Sequence, residues 1–369
     1  MLRIKFLILF SVALQFVSGQ DRERRLDSAL QKLYAENKIH GNILVAEKGE
    51  VIYSKSFGVA NRTTGEPLNE NSIFELASVS KQFTAMGIML LQQKGKLKID
   101  DDFTKYIPEL SFYKGITIRN LLNHTGGLPD YMELMDSLFD KSKIATNADV
   151  IKSLSNAKPA ILFSPAKKFQ YSNTGYVLLA SIIEKVSKQT FASFLANNIF
   201  KPLGMTNTFV YSRRYQPKEI KNYAFGYIYA DSSKKYILPD SFPPTKMVVW
   251  LDGVQGDGTV NSTVRDLLKW DKALFSDKLL GENNRRLVFQ PATLEDGKIS
   301  KYGFGVFVDS TKEYGSLVNH SGGWPGYKIF LERSIDNDKT IIILQNREDV
   351  VLPLKTIRSV IYNKQQEAF

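Results

Sequence analysis

The sequence predicts an α/β fold in which an antiparallel sheet, built from strands at both ends of the chain and flanked by helices, carries an inserted and mainly helical domain. Strand-like segments occur near both termini, and a mainly helical pattern runs between them from about residue 82 to residue 201. Because short connections favour antiparallel neighbours, the two groups of strands are expected to share one sheet. The cleft between two such domains is a natural place for a binding site.

The individual elements follow from the period of the apolar residues. Segments rich in β-branched and aromatic residues predict strands, and apolar residues at helical spacing predict helices. In chain order we expect a helix over 27–39, strands over 42–47 and 51–57 joined by a turn at Lys48-Gly49, a helix over 176–186, strands over 303–309, 316–320, 326–332 and 340–345, and a helix over 352–363.

These elements define the predicted domains. Residues 20–80 and 255–369 are expected to form the discontinuous α/β sheet domain, and residues 81–254 the mainly helical domain. Residues 1–19 have the three parts of a secretory signal peptide, because Arg3 and Lys5 precede an apolar run that ends in small residues. That run is shorter than the roughly 18 residues that span a membrane. We therefore expect a periplasmic or secreted protein without a stable membrane anchor.

The composition limits the available chemistry. The chain has 369 residues, 43% of them hydrophobic and 24% charged, which is typical of a folded protein. It contains no Cys and three His, at positions 40, 124 and 320. Thiolate metal sites, disulfides and a Cys nucleophile are excluded, and a multi-histidine metal site is not expected. Hydrolytic chemistry would depend on Ser, Lys, Tyr or carboxylates.

The charge balance is basic. The formal net charge is +11, and loss of Arg3 and Lys5 with the signal peptide would leave +9. Such a surface favours anionic partners. However, the basic residues are spread in short clusters and no nucleic-acid-binding motif is present. We expect a solvated surface and no nucleic-acid partner.

The first chemical motif is Ser78-Val79-Ser80-Lys81, at the start of a long apolar helical segment. Residues three apart lie on one face of a helix, so the Lys81 amine can reach the Ser78 hydroxyl. A lysine whose pKa is lowered can take the proton that makes a serine nucleophilic, and a helix N-terminus offers N–H groups to an oxyanion. The tetrapeptide alone is equally compatible with an ordinary helix start.

The second motif is Tyr171-Ser172-Asn173, just before the predicted helix over 176–186. In an extended segment, residues two apart point the same way, so both side chains can enter one cleft. A tyrosine bonded to a lysine can shuttle a proton, and an asparagine can both donate to and accept from a substrate amide. The alternative is an asparagine that caps the helix beside a tyrosine used for packing.

The third motif is His320-Ser321-Gly322-Gly323, placed between two predicted strands. Glycines let a backbone approach a ligand closely, and an edge strand offers its N–H groups to a substrate. A near-repeat of this motif surrounds His124, but it follows a helical pattern. We interpret that repeat as a helix C-terminal turn and assign the site to His320.

Together and in this order, the three motifs resemble those of the serine β-lactamase and penicillin-binding protein superfamily. The Tyr-x-Asn form is similar to the class C branch with its DD-carboxypeptidase, D-aminopeptidase and esterase relatives. The resemblance implies a β-lactamase/transpeptidase-like fold and no cofactor. It implies that Ser78 is the acylated nucleophile and that Lys81 and Tyr171 share the role of general base. It also implies that the Asn173 amide orients the substrate. The third motif would contact the substrate through His320, Ser321, Gly322 and Gly323. The backbone N–H groups of Ser78 and Gly323 would form the oxyanion hole.

One departure bears on the substrate. Class C β-lactamases carry Lys-Thr-Gly where this chain has His320-Ser321-Gly322. A side chain with an ordinary pKa of about 6.5 would attract a substrate carboxylate more weakly and in a pH-dependent way.

The resemblance implies a secreted serine hydrolase that acts through a Ser78 acyl-enzyme on peptide, amide or ester bonds. Cell-wall D-amino-acid peptides are the expected substrates. A true β-lactamase is one alternative, and a penicillin-recognising sensor module with little turnover is another.

Overall fold

The computed structural model describes residues 20–363, so the predicted signal peptide, residues 1–19, lies outside the described residues. The strands in this range are β1 (Gly41–Glu47), β2 (Glu50–Phe57), β3 (Val59–Asn61), β4 (Glu66–Pro67), β5 (Phe74–Glu75), β6 (Phe209–Val210), β7 (Ile228–Ala230), β8 (Lys235–Ile237), β9 (Val260–Ser262), β10 (Phe307–Thr311), β11 (Gly315–Trp324), β12 (Tyr327–Ser334) and β13 (Lys339–Gln345).

The helices are α1 (residues 20–35), α2 (Lys81–Gln93), α3 (Ile118–Leu122), α4 (Tyr131–Leu138), α5 (Asn147–Ala157), α6 (Asn173–Ser187), α7 (Phe191–Leu195), α8 (Met247–Trp250), α9 (Val264–Leu274), α10 (Glu282–Val288) and α11 (Leu354–Ile361). Short 3₁₀ turns are also present, and the one over Ala77–Ser80 runs directly into α2. None of the helices in residues 20–363 is both long and apolar enough to cross a membrane.

The main sheet joins the two ends of the chain, as the sequence predicts. Its six strands are all antiparallel and lie in the order β10-β11-β12-β13-β1-β2. The β1–β2 turn has positive φ angles at Lys48 (53°) and Gly49 (75°), which suits the twist of a two-residue hairpin. The prediction of one antiparallel sheet flanked by helices is confirmed.

Both faces of the sheet are buried, because successive side chains of a strand point to opposite sides. In β1, Leu44 and Ala46 pack into the large core shared with the central helices. Ile43 and Val45 point the other way and pack against apolar residues of α1 and α11. The first and last helices therefore cover one face, and the helices that carry the site cover the other.

Two predicted strand boundaries were wrong near the site. The strand expected over 303–309 begins only at Phe307, because the preceding segment packs tightly on the start of α2: a Cβ on Gly305 would lie 2.8 Å from the Lys81 carbonyl oxygen. The strand expected to end at His320 continues to Trp324, so the whole third motif lies within β11. The turn to β12 is made by Pro325 and Gly326 instead.

The segment predicted to be mainly helical also contains the short strands β6, β7 and β8. Its longest helix, α6, packs on α2 so closely that a Cβ on Gly87 would lie 2.7 Å from the Ile183 side chain. This packing brings the start of α6 beside the start of α2. The exact domain boundaries remain predictions.

Candidate active site

The Ser78 turn is held rigidly in front of the sheet. Ala77 has a φ of 47°, in the left-handed region that non-glycine residues rarely adopt, and strain of this kind occurs mainly where the surroundings enforce it. Ser80, the last residue of this turn, is buried, and its Oγ accepts a hydrogen bond from the backbone N–H of Val260 (3.1 Å). The Ser78 side chain itself lies at the wall of a cavity.

Lys81 is fully buried directly behind Ser78. Its Nζ donates to Ser78 Oγ at 3.1 Å, to Asn173 Oδ1 at 3.0 Å and to the carbonyl oxygen of Asp257 at 2.8 Å. These three bonds use all three donors of an ammonium group. The predicted contact between Ser78 and Lys81 is present, and the lysine must pass a proton on before it can accept the serine proton.

Two aspartates orient the groups that hold Lys81, and sequence reasoning missed both. The Nδ2 of Asn173 donates to Asp130 Oδ2 at 3.0 Å, which fixes the amide so that its oxygen faces Lys81. Asp257 accepts from the Tyr131 hydroxyl at 3.1 Å, and burial raises the pKa of this carboxyl. Asp130 follows the His124 turn and Asp257 lies in a glycine-rich loop, but neither forms a recognisable spacing with Ser78.

The prediction that Tyr171 and Asn173 enter one cleft holds only for Asn173, the first residue of α6, which lines the cavity. Tyr171 is not among the lining residues and packs beside Lys81. The Lys81 Nζ lies 4.9 Å from the centre of the Tyr171 ring. The Tyr171 hydroxyl is buried and has no hydrogen-bond partner among residues 20–363. A buried hydroxyl without a partner is costly, so this group is available to take part in a proton transfer.

His124 forms the predicted helix C-terminal turn, with a φ of 59° after the end of α3. Its side chain also belongs to the site, which the sequence analysis did not expect. Its ring centre is 4.3 Å from that of Tyr171, and its Nδ1 accepts from the Ser172 N–H at 3.2 Å. Burial and the charge of Lys81 hold the pKa of His124 well below its usual value. The histidine therefore supports Tyr171 as a neutral ring.

His320 is buried behind the cavity and does not line it. Its Nδ1 lies 2.6 Å from the Ser321 carbonyl oxygen, which can only accept, so Nε2 is the nitrogen that accepts from the Tyr302 hydroxyl at 2.9 Å. Burial, reinforced by the charge of Lys81, lowers the pKa of His320 to about 3. The expectation of a charge change near pH 6.5 is therefore corrected, because His320 is neutral between pH 5 and 8.

Because His320 stays neutral in the folded protein, acidification should lower the free energy of unfolding. Between pH 6.5 and 3 the unfolded chain binds a proton at this position that the folded chain does not, so the free energy of unfolding falls as the pH is lowered through that window. The contribution is about 1.4 kcal/mol per pH unit below the unfolded pKa. We expect His320→Gln to lose less stability than the wild type between pH 6 and pH 4 in urea unfolding. Equal losses would contradict a buried neutral histidine.

The two glycines of the third motif have different surroundings. A Cβ on Gly322 would lie 2.3 Å from the carbonyl oxygen of Leu76, so only glycine lets the Ser78 turn pack this closely on β11. A Cβ on Gly323 would meet no protein atom within 4 Å, and this residue lines the cavity. Ser321 is exposed on the same side of the strand as Gly323.

This difference gives a matched pair of variants. Gly322→Ala should lower the free energy of unfolding by about 1–3 kcal/mol, because the clash is with backbone and the turn must shift. Gly323→Ala should leave the melting temperature nearly unchanged. Thermal unfolding followed by circular dichroism measures both. Equal stabilities for the two variants would contradict the close approach of the turn to the strand.

The cavity in front of Ser78 has a volume of about 460 Å³. One wall is β11, whose outer edge pairs with β10 only as far as Asn319. Ser78 and Gly323, the two predicted oxyanion donors, both line the cavity. The remaining lining is Glu75, Ala77, Tyr131, Met132, Asn173, Met247, Leu251, Asp252, Val254, Asp257, Gly258, Thr259, Trp324, Pro325, Tyr327, Lys328 and Glu348. Within residues 20–363, no group of three or more His, Asp or Glu is placed to hold a metal ion.

A turn-borne serine bonded to a buried lysine, at the mouth of a cavity beside an antiparallel strand, defines a serine hydrolase that works by acyl transfer. Residues 26–358 match the Beta-lactamase family, and the chain belongs to that family. It is a serine hydrolase of the superfamily that includes the penicillin-binding proteins.

Particular relatives cover most of the chain. It is 46% identical over 330 residues to penicillin-binding protein 4* of Bacillus subtilis (strain 168), covering 89% of this chain and 73% of the relative. The fold matches a penicillin-binding protein from Bacillus halodurans with a TM-score of 0.76 at 24% identity, over 90% of this chain and 98% of the other. It also matches a D-amino acid amidase from Ochrobactrum anthropi SV3 with a TM-score of 0.71 at 25% identity, over 93% and 96% of the two chains.

Proposed function

We propose that the protein is a secreted hydrolase in which Ser78 attacks the carbonyl carbon of a peptide, amide or ester bond, and that its substrates are D-amino-acid peptides of the cell wall. The observation that carries this proposal is the bond between Lys81 Nζ and Ser78 Oγ at the mouth of the cavity. The names of the relatives support the substrate class, since they include penicillin-binding proteins and a D-amino acid amidase.

Acylation proceeds through groups already in place. The Lys81 and Tyr171 pair, whose Nζ lies 4.9 Å from the ring centre, first gives up one proton to solvent. Ser78 Oγ then forms a bond to the carbonyl carbon while its own proton passes to this pair. The developing oxyanion accepts from the backbone N–H groups of Ser78 and Gly323. The same pair then protonates the leaving amine or alcohol, and a water molecule hydrolyses the resulting ester by the reverse sequence.

The substrate is held by the free part of β11. Beyond Asn319 this strand has no neighbour on its outer edge within the described sheet, so an extended peptide can add to it through backbone hydrogen bonds. Ser321 is exposed there and is placed to contact the peptide. Asn173 orients the substrate amide from the opposite wall, and its own orientation is fixed by Asp130.

His320 contributes to this site through Tyr302 rather than by its charge. Its neutral ring holds the Tyr302 hydroxyl beside the aromatic group around Tyr171. A buried neutral residue offers no cation to a carboxylate, whereas the Lys of a class C β-lactamase does. We therefore expect slower acylation by β-lactams than in a class C β-lactamase.

The proposal is tested by incubating the mature chain with three compounds: a peptide ending in D-Ala-D-Ala, its L-Ala-L-Ala counterpart, and benzylpenicillin. Release of D-Ala from the first alone supports the proposed function. Rapid loss of benzylpenicillin without peptide cleavage would make the protein a β-lactamase. A lasting penicillin adduct with no turnover would make it a sensor module. Ser78→Ala is the control for each activity.

Secretion is tested separately by the N-terminus of the protein recovered from its native host. Processing after about residue 19 is expected from the signal-like pattern of residues 1–19. Recovery of the intact N-terminus inside the cell would contradict it.

A further inference from the structure

One carboxyl group in the cavity has no use in the proposed reaction. Glu75 ends β5, three residues before Ser78, and lines the same cavity. No group within residues 20–363 donates a hydrogen bond to its carboxylate, and its interactions with the surrounding charges are through space. The other three cavity carboxyls differ: Asp252 accepts from Arg214, Asp257 accepts from the Tyr131 hydroxyl, and Glu348 accepts from the backbone N–H of Gly326.

The cations near Glu75 are already engaged by other groups. Arg214 donates to Asp240 through Nε and Nη2 and to Asp252 through Nη1, at 2.7–2.9 Å. Arg213 also donates to Asp240 at 2.7 Å. The two positive charges of the arginines are thus matched by the two negative charges of the aspartates. Glu75 is the carboxyl of this region that has no arginine partner.

Lys328, the one lysine of the cavity lining, does not pair with Glu75 either: its Nζ donates to the Val350 carbonyl oxygen at 2.5 Å, and it is not among the charges that act on the Glu75 carboxyl. The phenol rings near Glu75, Tyr223 and Tyr327, have pKa values raised by burial and supply no charge. Within residues 20–363, no lysine or arginine therefore forms an ion pair or a hydrogen bond with Glu75.

The charged form of Glu75 is unfavourable at the cavity wall, because its half-buried carboxylate loses hydration there and gains no hydrogen-bond donor. Burial raises the pKa of Glu75 to about 7, because the fields of Arg214 and Arg213 only partly offset the loss of hydration and the repulsion from Asp252 and Asp240. A cation brought by a ligand would restore the ordinary ionisation of the group. Such a ligand would also find apolar surface for its hydrocarbon part at Met132, Met247, Leu251 and Trp324.

We propose that Glu75 binds a primary ammonium group of the substrate, so that the enzyme selects acyl donors with a free amine. This inference rests on the proposed function, since it concerns the substrate of the Ser78 reaction. The amine can be the α-amine of an N-terminal D-amino acid or the side-chain amine of a diamino acid. Both are primary ammonium groups, and the substrates below distinguish them.

The test compares three chromogenic amides in the mature enzyme: D-alanine p-nitroanilide, N-acetyl-D-alanine p-nitroanilide and N-acetyl-D-lysine p-nitroanilide. The first carries only an α-amine, the second no amine and the third only a side-chain amine. We expect Glu75→Gln to lower kcat/KM about 10-fold to 100-fold for an amine-bearing substrate, as for loss of a charge-assisted hydrogen bond. Turnover of the N-acetyl-D-alanine amide should stay within about 2-fold, which also reports correct folding.

Glu348→Gln is the matched control, because Glu348 lines the same cavity but already has a donor in Gly326. A selective loss in Glu75→Gln that Glu348→Gln does not share supports the proposal. The substrate affected then identifies which amine is bound. An equal loss in both variants, an equal effect on all three substrates, or no loss in Glu75→Gln would overturn it.

Failure of the proposed function gives a different result. In that case the wild type would hydrolyse none of the three amides, and neither p-nitrophenyl acetate nor a D-Ala-D-Ala peptide would be turned over in a Ser78-dependent way. If Ser78-dependent ester or peptide hydrolysis is present but no amine-bearing substrate is preferred over its acetylated form, the inference about Glu75 alone is rejected.

Discussion

Replacing Lys81 by Met is expected to slow acylation of Ser78 roughly 1,000-fold, within the range attributed to a positioned general base. Lys81 is the one side chain of the described site that donates directly to Ser78 Oγ, and it also links Ser78 to Asn173 and Asp257. Methionine fills a similar volume but can neither accept nor return a proton. The serine would then attack only as the far weaker neutral hydroxyl.

The measurement for Lys81→Met is the rate of the acylation burst with an activated ester, followed by stopped-flow absorbance. The variant leaves the Asn173 and Asp257 acceptors without a donor, at a cost of about 1–3 kcal/mol each, so its melting temperature must be measured alongside. Lys94→Met, at the exposed C-terminal end of the same helix, is the control. A folded Lys81→Met enzyme with less than a 10-fold loss would contradict the role of Lys81 as base.

Ser78→Ala is expected to have the largest effect of all, reducing turnover roughly 10,000-fold or more, to the background rate. The variant removes the atom that would form the acyl bond. The fold should persist, because Ser78 is partly exposed at the cavity wall and lacks the core contacts of its neighbours Ala77 and Val79.

Ser80→Ala is a matched control for Ser78→Ala in the same turn. Ser80 is buried and its Oγ accepts from the backbone of Val260, so its loss should cost about 1 kcal/mol of stability and leave the chemistry nearly unchanged. Substrate turnover and thermal unfolding of both variants give a crossed result: Ser78→Ala loses activity, and Ser80→Ala loses stability. If Ser80→Ala lost activity and Ser78→Ala kept it, the assignment of Ser78 as the nucleophile would be wrong.

Much of the fold was predictable because its signals are local. The β1–β2 hairpin and the C-terminal strands have regular apolar patterns, and both faces of the sheet are buried as those patterns indicate. The contact between Ser78 and Lys81 follows from residues three apart in a helical turn. The boundaries at 303–309 and after His320 were missed because the glycines there serve close packing rather than a change of direction: Gly305 packs on the start of α2, and Gly322 packs on the Ser78 turn.

The rest of the site depends on contacts between distant parts of the chain. Asp130 and Asp257 meet Asn173 and Lys81 only after α4 and the 256–258 loop pack against α2 and α6. Likewise, the protonation state of His320 is determined by burial and by Lys81, neither of which can be inferred from the His-Ser-Gly pattern. Spacing along the chain carries no information about such contacts.

The proposed reaction depends on covalent acylation of Ser78. The mature protein is mixed with benzylpenicillin and quenched in acid after milliseconds to minutes, and the modified peptide is mapped by mass spectrometry. We expect one drug-derived adduct per chain, on the peptide that contains Ser78, and none in Ser78→Ala. An adduct on another residue, or equal labelling or drug hydrolysis in Ser78→Ala, would contradict it.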